Sequence, residues 1–155
     1  MQAQVDEQSV INANTQFWEQ MLSMTLDCMT DPGEVCVGSG HVLGYVDLGG
    51  AWVGRIEVRM AEGLAYVATA AMMMAPLESV GQADALDATK EIANMIAGTI
   101  KSALPRPCTM TVPQSEVAAD RFCLPAHSDD ALVVGFRHES GDLMVRILET
   151  ECTLN

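Results

Sequence analysis

The chain of 155 residues is 49% hydrophobic and 19% charged, which excludes an intrinsically disordered protein and fits one domain with a sizeable core. Its formal net charge of −13, with only eight Lys and Arg side chains, disfavours nucleic acid and anionic membranes as partners. No run of about 18 apolar residues is present, and the N-terminus has neither a basic start nor a long apolar stretch. We therefore predict a cytoplasmic protein without a membrane span or a signal peptide.

The first two predicted elements are a helix and a strand pair. Apolar residues repeat every three to four positions over residues 8–29, which predicts a helix with Ser9 as its N-cap and the Asp-Pro-Gly turn at 31–33 as its end. Two further runs, HVLGYVDL and AWVGRIEVRM, flank Gly49-Gly50, and the second alternates apolar and charged residues. A Gly-Gly step between two such runs predicts a β-hairpin.

A second helix is predicted over residues 62–75 and ends at Pro76. It carries three consecutive methionines, Met72, Met73 and Met74. Methionine in a helix usually fills the core, so we interpret the run as core packing; a soft metal site or an adhesive groove is the alternative.

The third predicted helix begins near residue 79 or 84 and ends near 104. Ser79 with Gln82 fits a capping box, and Asp84 is the competing N-cap. The Pro-Arg-Pro sequence at 105–107 terminates the helix.

The remaining chain is predicted to form strands. A short strand over 108–112 meets Pro113, another covers about 121–124, and the runs ALVVGFRH and LMVRILETE form a closing hairpin around the turn ESGD. Helices interspersed with hairpins predict an α+β fold, in which long helices pack on a mainly antiparallel sheet. Residues 1–155 show no linker or internal repeat, so we predict a single domain.

The cysteines and histidines show no spacing typical of a metal site. The five cysteines are odd in number and contain no C-x-x-C pair, so we expect buried, reduced thiols rather than a disulfide framework or a zinc site. The histidines have no H-x-x-x-H or E-x-x-H spacing, so we expect no metal ligands among them. The residues concerned are Cys28, Cys36, Cys108, Cys123, Cys152, His41, His127 and His138.

The third helix has two distinct faces at roughly 100° per residue. One face is apolar and is expected to pack on the sheet; it comprises Leu86, Thr89, Ile92, Ala93, Ile96, Ile100, Ala103 and Leu104. The other is polar and is expected to face outward; it comprises Asp84, Asp87, Glu91, Asn94, Gly98 and Lys101.

The outward face contains residues that do not favour a helix. Asn94 is a mediocre helix former, and Gly98 costs about 1 kcal/mol relative to Ala. Glu91 and Asn94 are neighbours on this surface, and the missing side chain at Gly98 would let another surface approach closely. We interpret the face as a docking surface; the alternatives are an ordinary solvated face and packing of Gly98 against the same chain.

The pattern Asp87-x-x-x-Glu91-x-x-Asn94, followed by MIAGTIKSALP and Pro113, resembles the signature helix of the CheC/CheX/FliY chemotaxis phosphatases. The first helix and the order of the elements are also similar to CheX. The chain has one E-x-x-N helix of this type, and its interval from Asn94 to Pro113 is short. Both features favour CheX over CheC, and they leave the role of Pro113 open.

The resemblance implies a phosphatase that acts on the phospho-aspartate of a CheY-like receiver domain. It implies that Asn94 positions the attacking water and that Glu91 contacts a lysine of the receiver. Asp87, Gly98 and Lys101 would complete the docking face; for Asp87 a solvated helix residue is an equal alternative, and Lys101 is expected to face water rather than the substrate.

The resemblance also implies a homodimer with no cofactor of its own, since the Mg²⁺ would belong to the receiver. Two other functions stay open: a non-catalytic domain that binds a receiver or a signalling complex as an adaptor, and a purely structural α+β domain.

Overall fold

The computed structural model describes residues 5–30, 32–126, 128 and 131–150, which contain three α-helices and nine strands. The helices are α1 (Glu7–Leu22), α2 (Glu62–Met73) and α3 (Gln82–Lys101), with a 3-10 turn at Leu77–Ser79. The strands are β1 (Asp27–Cys28), β2 (Glu34–Val37), β3 (His41–Gly50), β4 (Gly54–Met60), β5 (Cys108–Met110), β6 (Gln114–Ala118), β7 (Phe122–Pro125), β8 (Ala131–His138) and β9 (Gly141–Glu149). Within the described ranges, no helix is long and apolar enough to cross a membrane.

The strands form two antiparallel sheets, and the predicted α+β class is confirmed. The main sheet has the order β1-β8-β9-β4-β3-β5, and β6 also pairs with β3. Both predicted hairpins are present: β3 pairs with β4, and β8 pairs with β9. The remaining strands, β2 and β7, form a small sheet of their own.

One edge of β3 is shared by two short strands. β5 pairs with Leu48–Gly50, and β6 pairs with His41–Tyr45. Between them, the Thr111 amide donates to the Asp47 carbonyl at 2.9 Å and the Thr111 hydroxyl accepts from the Asp47 amide at 3.1 Å. Val112 and Pro113 follow this anchor and lie outside both strands.

The first helix differs from its prediction at both ends. Asp6, not Ser9, is the N-cap, and its carboxylate accepts from the Ser9 amide at 2.8 Å. Hydrogen bonding to the Ser9 hydroxyl, and then to the Ser9 amide, lowers the pKa of Asp6. The helix ends at Leu22, well before residue 29, because Ser23 is left-handed and the Met24 amide donates back to the Trp18 carbonyl.

The interpretation of the methionine run as core packing is wrong for two of its three members. Met72 packs against the core, but Met73 is 48% exposed and Met74 is 94% exposed. Met74 also ends α2 in a left-handed conformation, with φ of 52°. The helix instead buries Leu64, Ala65, Ala68 and Thr69.

Cys36 and Cys123 form a disulfide, so the prediction of reduced thiols is wrong for this pair. The register of the small sheet places them opposite each other, with Cα atoms 4.1 Å apart. Their sulfurs and the Glu34 carboxylate lie within 4.8 Å of one another, but bonded sulfurs offer no thiolate to a metal. Cys108 is a buried free thiol, as predicted, and Cys152 lies outside the described residues.

The described histidines have ordinary hydrogen-bonding partners. His41 is buried, with Nδ1 2.8 Å from the Gly38 carbonyl and Nε2 2.8 Å from Arg59 Nη1. Burial lowers the pKa of His41, which favours the neutral ring that accepts from Arg59. His138 Nδ1 accepts from the Ser140 amide, and His127 lies outside the described residues.

Candidate functional site

Helix α3 lies directly on the main sheet because β3 has a glycine where the two elements cross. A Cβ atom added at Gly44 would meet the Thr89 carbonyl oxygen and methyl group at 2.8 Å and the Ala93 Cβ at 3.2 Å. Below the helix, Ile92, Ala93 and Ile96 are completely buried. This contact fixes the height and rotation of α3 and therefore the direction of its outer face.

The ends of α3 differ from the predicted ends. Gly81 is the N-cap, and Asp84 acts from inside the first turn, where its carboxylate accepts from the Gly81 amide at 3.0 Å. Ser79 instead donates its hydroxyl to the Pro76 carbonyl within the preceding 3-10 turn. At the other end the helix stops at Lys101 rather than 104, and Leu104 is buried by the turn that follows.

The predicted site residues all lie on the outer face of α3. Asp87, Glu91 and Gly98 are exposed, whereas Asn94 and Lys101 are partly exposed. Among the residues predicted to face inward within the helix, Leu86 is partly buried, and the others are fully buried: Thr89, Ile92, Ala93, Ile96 and Ile100. From Asp87 to Lys101 the stripe runs for about 21 Å along the helix axis.

The side chains of Glu91 and Asn94 are not engaged by other parts of the molecule. Among the residues that the structure describes, neither side chain has a hydrogen-bond or ion-pair partner. The nearest charged pair on this face is Lys90 Nζ and Asp87 Oδ1, 4.0 Å apart and largely in solvent. The carboxylate and the amide are therefore available to an incoming molecule.

Gly98 faces open space. Apart from its chain neighbours and the nearby backbone of α3, no atom of the described chain lies within 4 Å of a Cβ atom added there. The alternative that Gly98 packs against a neighbouring element of the same chain is therefore wrong. The glycine leaves a bare stretch of helix backbone one turn beyond Asn94.

Two surface depressions border the stripe. One, of about 530 Å³, lies at its N-terminal half and is lined by Met72, Met73, Asp84, Asp87, Ala88, Lys90, Glu91, Val112 and Pro113. The other, of about 490 Å³, lies at its C-terminal half and is lined by Gly98, Lys101, Ser102, Arg106, Pro107 and Cys108. Sequence periodicity missed Lys90, Met73 and Val112 as neighbours of the site; Met73 belongs to α2, and Val112 lies in the segment between β5 and β6.

The charges along the stripe are arranged by sign. Carboxylates of Asp84, Asp87 and Glu91 occupy the N-terminal half, and the cations of Lys101 and Arg106 occupy the C-terminal end. This order also complements the helix dipole. A carboxylate and an amide on such a surface can orient groups of a partner, but they provide no strong nucleophile.

The chain resembles known proteins in sequence and in fold. A family model described as chemotaxis phosphatase CheX matches residues 42–137, more than half of the chain. No curated protein sequence matches the chain.

Several solved structures share the fold. Chemotaxis protein CheX from Vibrio vulnificus is 19% identical, with a TM-score of 0.77, and the match covers 97% of this chain and 100% of that chain. CheX from Desulfovibrio desulfuricans is 18% identical, with a TM-score of 0.71 and coverage of 92% and 97%. The CheX–CheY–BeF₃–Mg²⁺ complex from Borrelia burgdorferi matches at 16% identity, a TM-score of 0.69 and coverage of 93% and 97%.

Proposed function

Because this chain belongs to the CheX family of chemotaxis phosphatases, we propose that it hydrolyses the phospho-aspartate of a CheY-like receiver domain. The observation that carries the proposal is the outer face of α3, where Glu91 and Asn94 lie one turn apart and point away from the sheet. The Borrelia complex, which contains both a CheX and a CheY, supports the choice of partner.

In this mechanism Asn94 orients the attacking water. Its carbonyl oxygen accepts a hydrogen bond from the water, while its NH₂ group stays free to donate to a second acceptor. Fixing one water in line with the phosphorus removes an entropic part of the barrier. A gain of about 2.7 kcal/mol corresponds to a hundredfold faster hydrolysis.

Glu91 positions the receiver and does not act as a general base. Its carboxylate makes a charge-assisted contact with a lysine of the receiver and so sets the register of the two surfaces. Phosphoryl transfer through a loose transition state demands little early proton removal, so a general base is unnecessary. The receiver supplies the phosphoryl group and the Mg²⁺ that neutralises developing charge, and the homodimer implied by the family resemblance stays a prediction.

The test is phosphate release from a panel of phosphorylated receiver domains. With this protein at a tenth of the receiver concentration or less, multiple turnovers above the receiver's own rate identify an enzyme. Binding without acceleration assigns the adaptor function instead, and the absence of both overturns the proposal.

Gly98→Ala should stabilise the protein but weaken its docking to the receiver. We expect the free energy of unfolding to rise by about 0.5–1 kcal/mol, since alanine favours the helix and its methyl group enters open space. We also expect a higher KM for the phosphorylated receiver, because the methyl group would prevent close approach. Urea unfolding and steady-state kinetics measure the two effects; an unchanged KM would remove Gly98 from the docking face.

A further inference from the structure

An exposed apolar surface lies beside the acidic half of the proposed site. Met73 and Val112 line the same depression as Asp87 and Glu91, and Met74 directly follows Met73. Met73 is 48% exposed, Met74 94% and Val112 75%. We call these three residues the apolar rim.

A methionine at position 74 is energetically unfavourable, because its apolar side chain is exposed to water and its backbone is left-handed. A left-handed residue that ends a helix is usually Gly or Asn, because a longer side chain is strained there. Met74 has φ of 52°, and its amide completes the helix end by donating to the Ala71 carbonyl at 3.3 Å. An unfavourable backbone combined with an almost fully exposed hydrophobic side chain suggests a function outside folding.

The charges around the rim restrict what it can bind. Three carboxylates, those of Asp84, Asp87 and Glu91, share the depression with one ammonium group, that of Lys90. A second copy of this chain would bring the same carboxylates and a net charge of −13, so self-association through this face is disfavoured. An occupant with apolar side chains next to lysine or arginine fits both parts of the surface.

We propose that the apolar rim is a specificity contact for the receiver, and that it binds apolar side chains of the receiver that neighbour its basic ones. This inference rests on the proposed function and adds a second contact to the Glu91–Asn94 pair. Methionine side chains are flexible and polarisable, so the rim adapts to receivers of somewhat different shape.

Variants of the rim test this inference on the receiver whose dephosphorylation the wild type accelerates most. Met74→Asn suits the left-handed backbone, and Met73→Gln with Val112→Thr keeps helix propensity and β-branching. We expect KM for the phosphorylated receiver to rise about tenfold in each variant, with kcat within about twofold of wild type. Val117→Thr, at an exposed valine on β6 that does not line the depression, is the matched control and should leave KM unchanged.

The outcomes separate this inference from the proposed function. If the rim variants keep the wild-type KM while Asn94→Ala loses activity, the rim is not a contact and the proposed mechanism stands. If the rim variants raise KM but Asn94→Ala stays active, the rim stands and the role of Asn94 is wrong.

A KM that does not increase with NaCl concentration would overturn the basic character of the occupant, and a wild type that binds no receiver would overturn both proposals. The thermal midpoint of Met74→Asn should not fall, which excludes unfolding as the cause of a raised KM.

Discussion

Asn94→Ala is expected to lower kcat for receiver dephosphorylation about a hundredfold, because the variant can no longer hold the attacking water in line. The fold should not change, since Asn94 is partly exposed and alanine is the better helix former. KM should change little, because the proposed contact forms with the water and not with the receiver surface. Single-turnover phosphate release and urea unfolding measure the two quantities.

Two further variants of α3 test whether the loss of turnover is specific to Asn94. Thr99→Ala changes an exposed side chain that lines a different depression, with Phe17 and Met21, and should behave as wild type. Glu91→Ala should raise KM as well as lower turnover, because it removes the contact that sets the register of the two proteins. An Asn94→Ala variant as active as the parent would show that the amide does not take part in the reaction.

Gly44→Ala is expected to destabilise the protein by about 1–3 kcal/mol and to reduce receiver dephosphorylation. The added methyl group would lie 2.8 Å from the carbonyl oxygen of Thr89 in α3, too close for any rotation of a side chain to relieve. The helix must therefore move away from β3, and the outer face that carries Glu91 and Asn94 moves with it. Urea unfolding and phosphate release under native conditions measure the two consequences.

The matched control is Gly49→Ala, in the same strand. Apart from its two chain neighbours, no atom of the described residues lies within 4 Å of a Cβ atom added at Gly49, so the stability and activity of this variant should stay close to wild type. Equal stability of the two variants would contradict the direct contact between α3 and the sheet at Gly44.

The sequence was sufficient to predict the site helix but not its surroundings. The periodicity of α3 is a local property, so its buried face and its outward stripe could be predicted from one segment. Its N-cap could not, because Ser79, Gly81 and Asp84 all have chemistry suited to a helix start, and the choice depends on how the chain arrives from the 3-10 turn. Likewise, the buried Met24 and Leu26 continue an apolar pattern that α1 does not follow, since Ser23 turns the chain.

Contacts between segments that are far apart in the sequence could not be predicted from it. Cys36 and Cys123 are separated by 87 residues, and their pairing depends on a small sheet of which only one strand was expected. The exposure of Met73 and Met74 has the same origin, because periodicity cannot show that the sheet is already covered by Leu64 and the alanines of α2. The apolar part of the candidate site therefore becomes visible only in three dimensions, whereas Glu91 and Asn94 could be named because their pattern resembles the CheC/CheX/FliY signature helix.

The division of the β3 edge between β5 and β6 has a consequence for recognition. A continuous outer strand would offer a row of free amide and carbonyl groups to which another polypeptide could add as a further strand. Here the row is interrupted at Val112 and Pro113, and proline has no amide hydrogen to contribute. An extended chain could therefore add to only short stretches of this edge, so a protein that approaches beside α3 is selected mainly by its side chains.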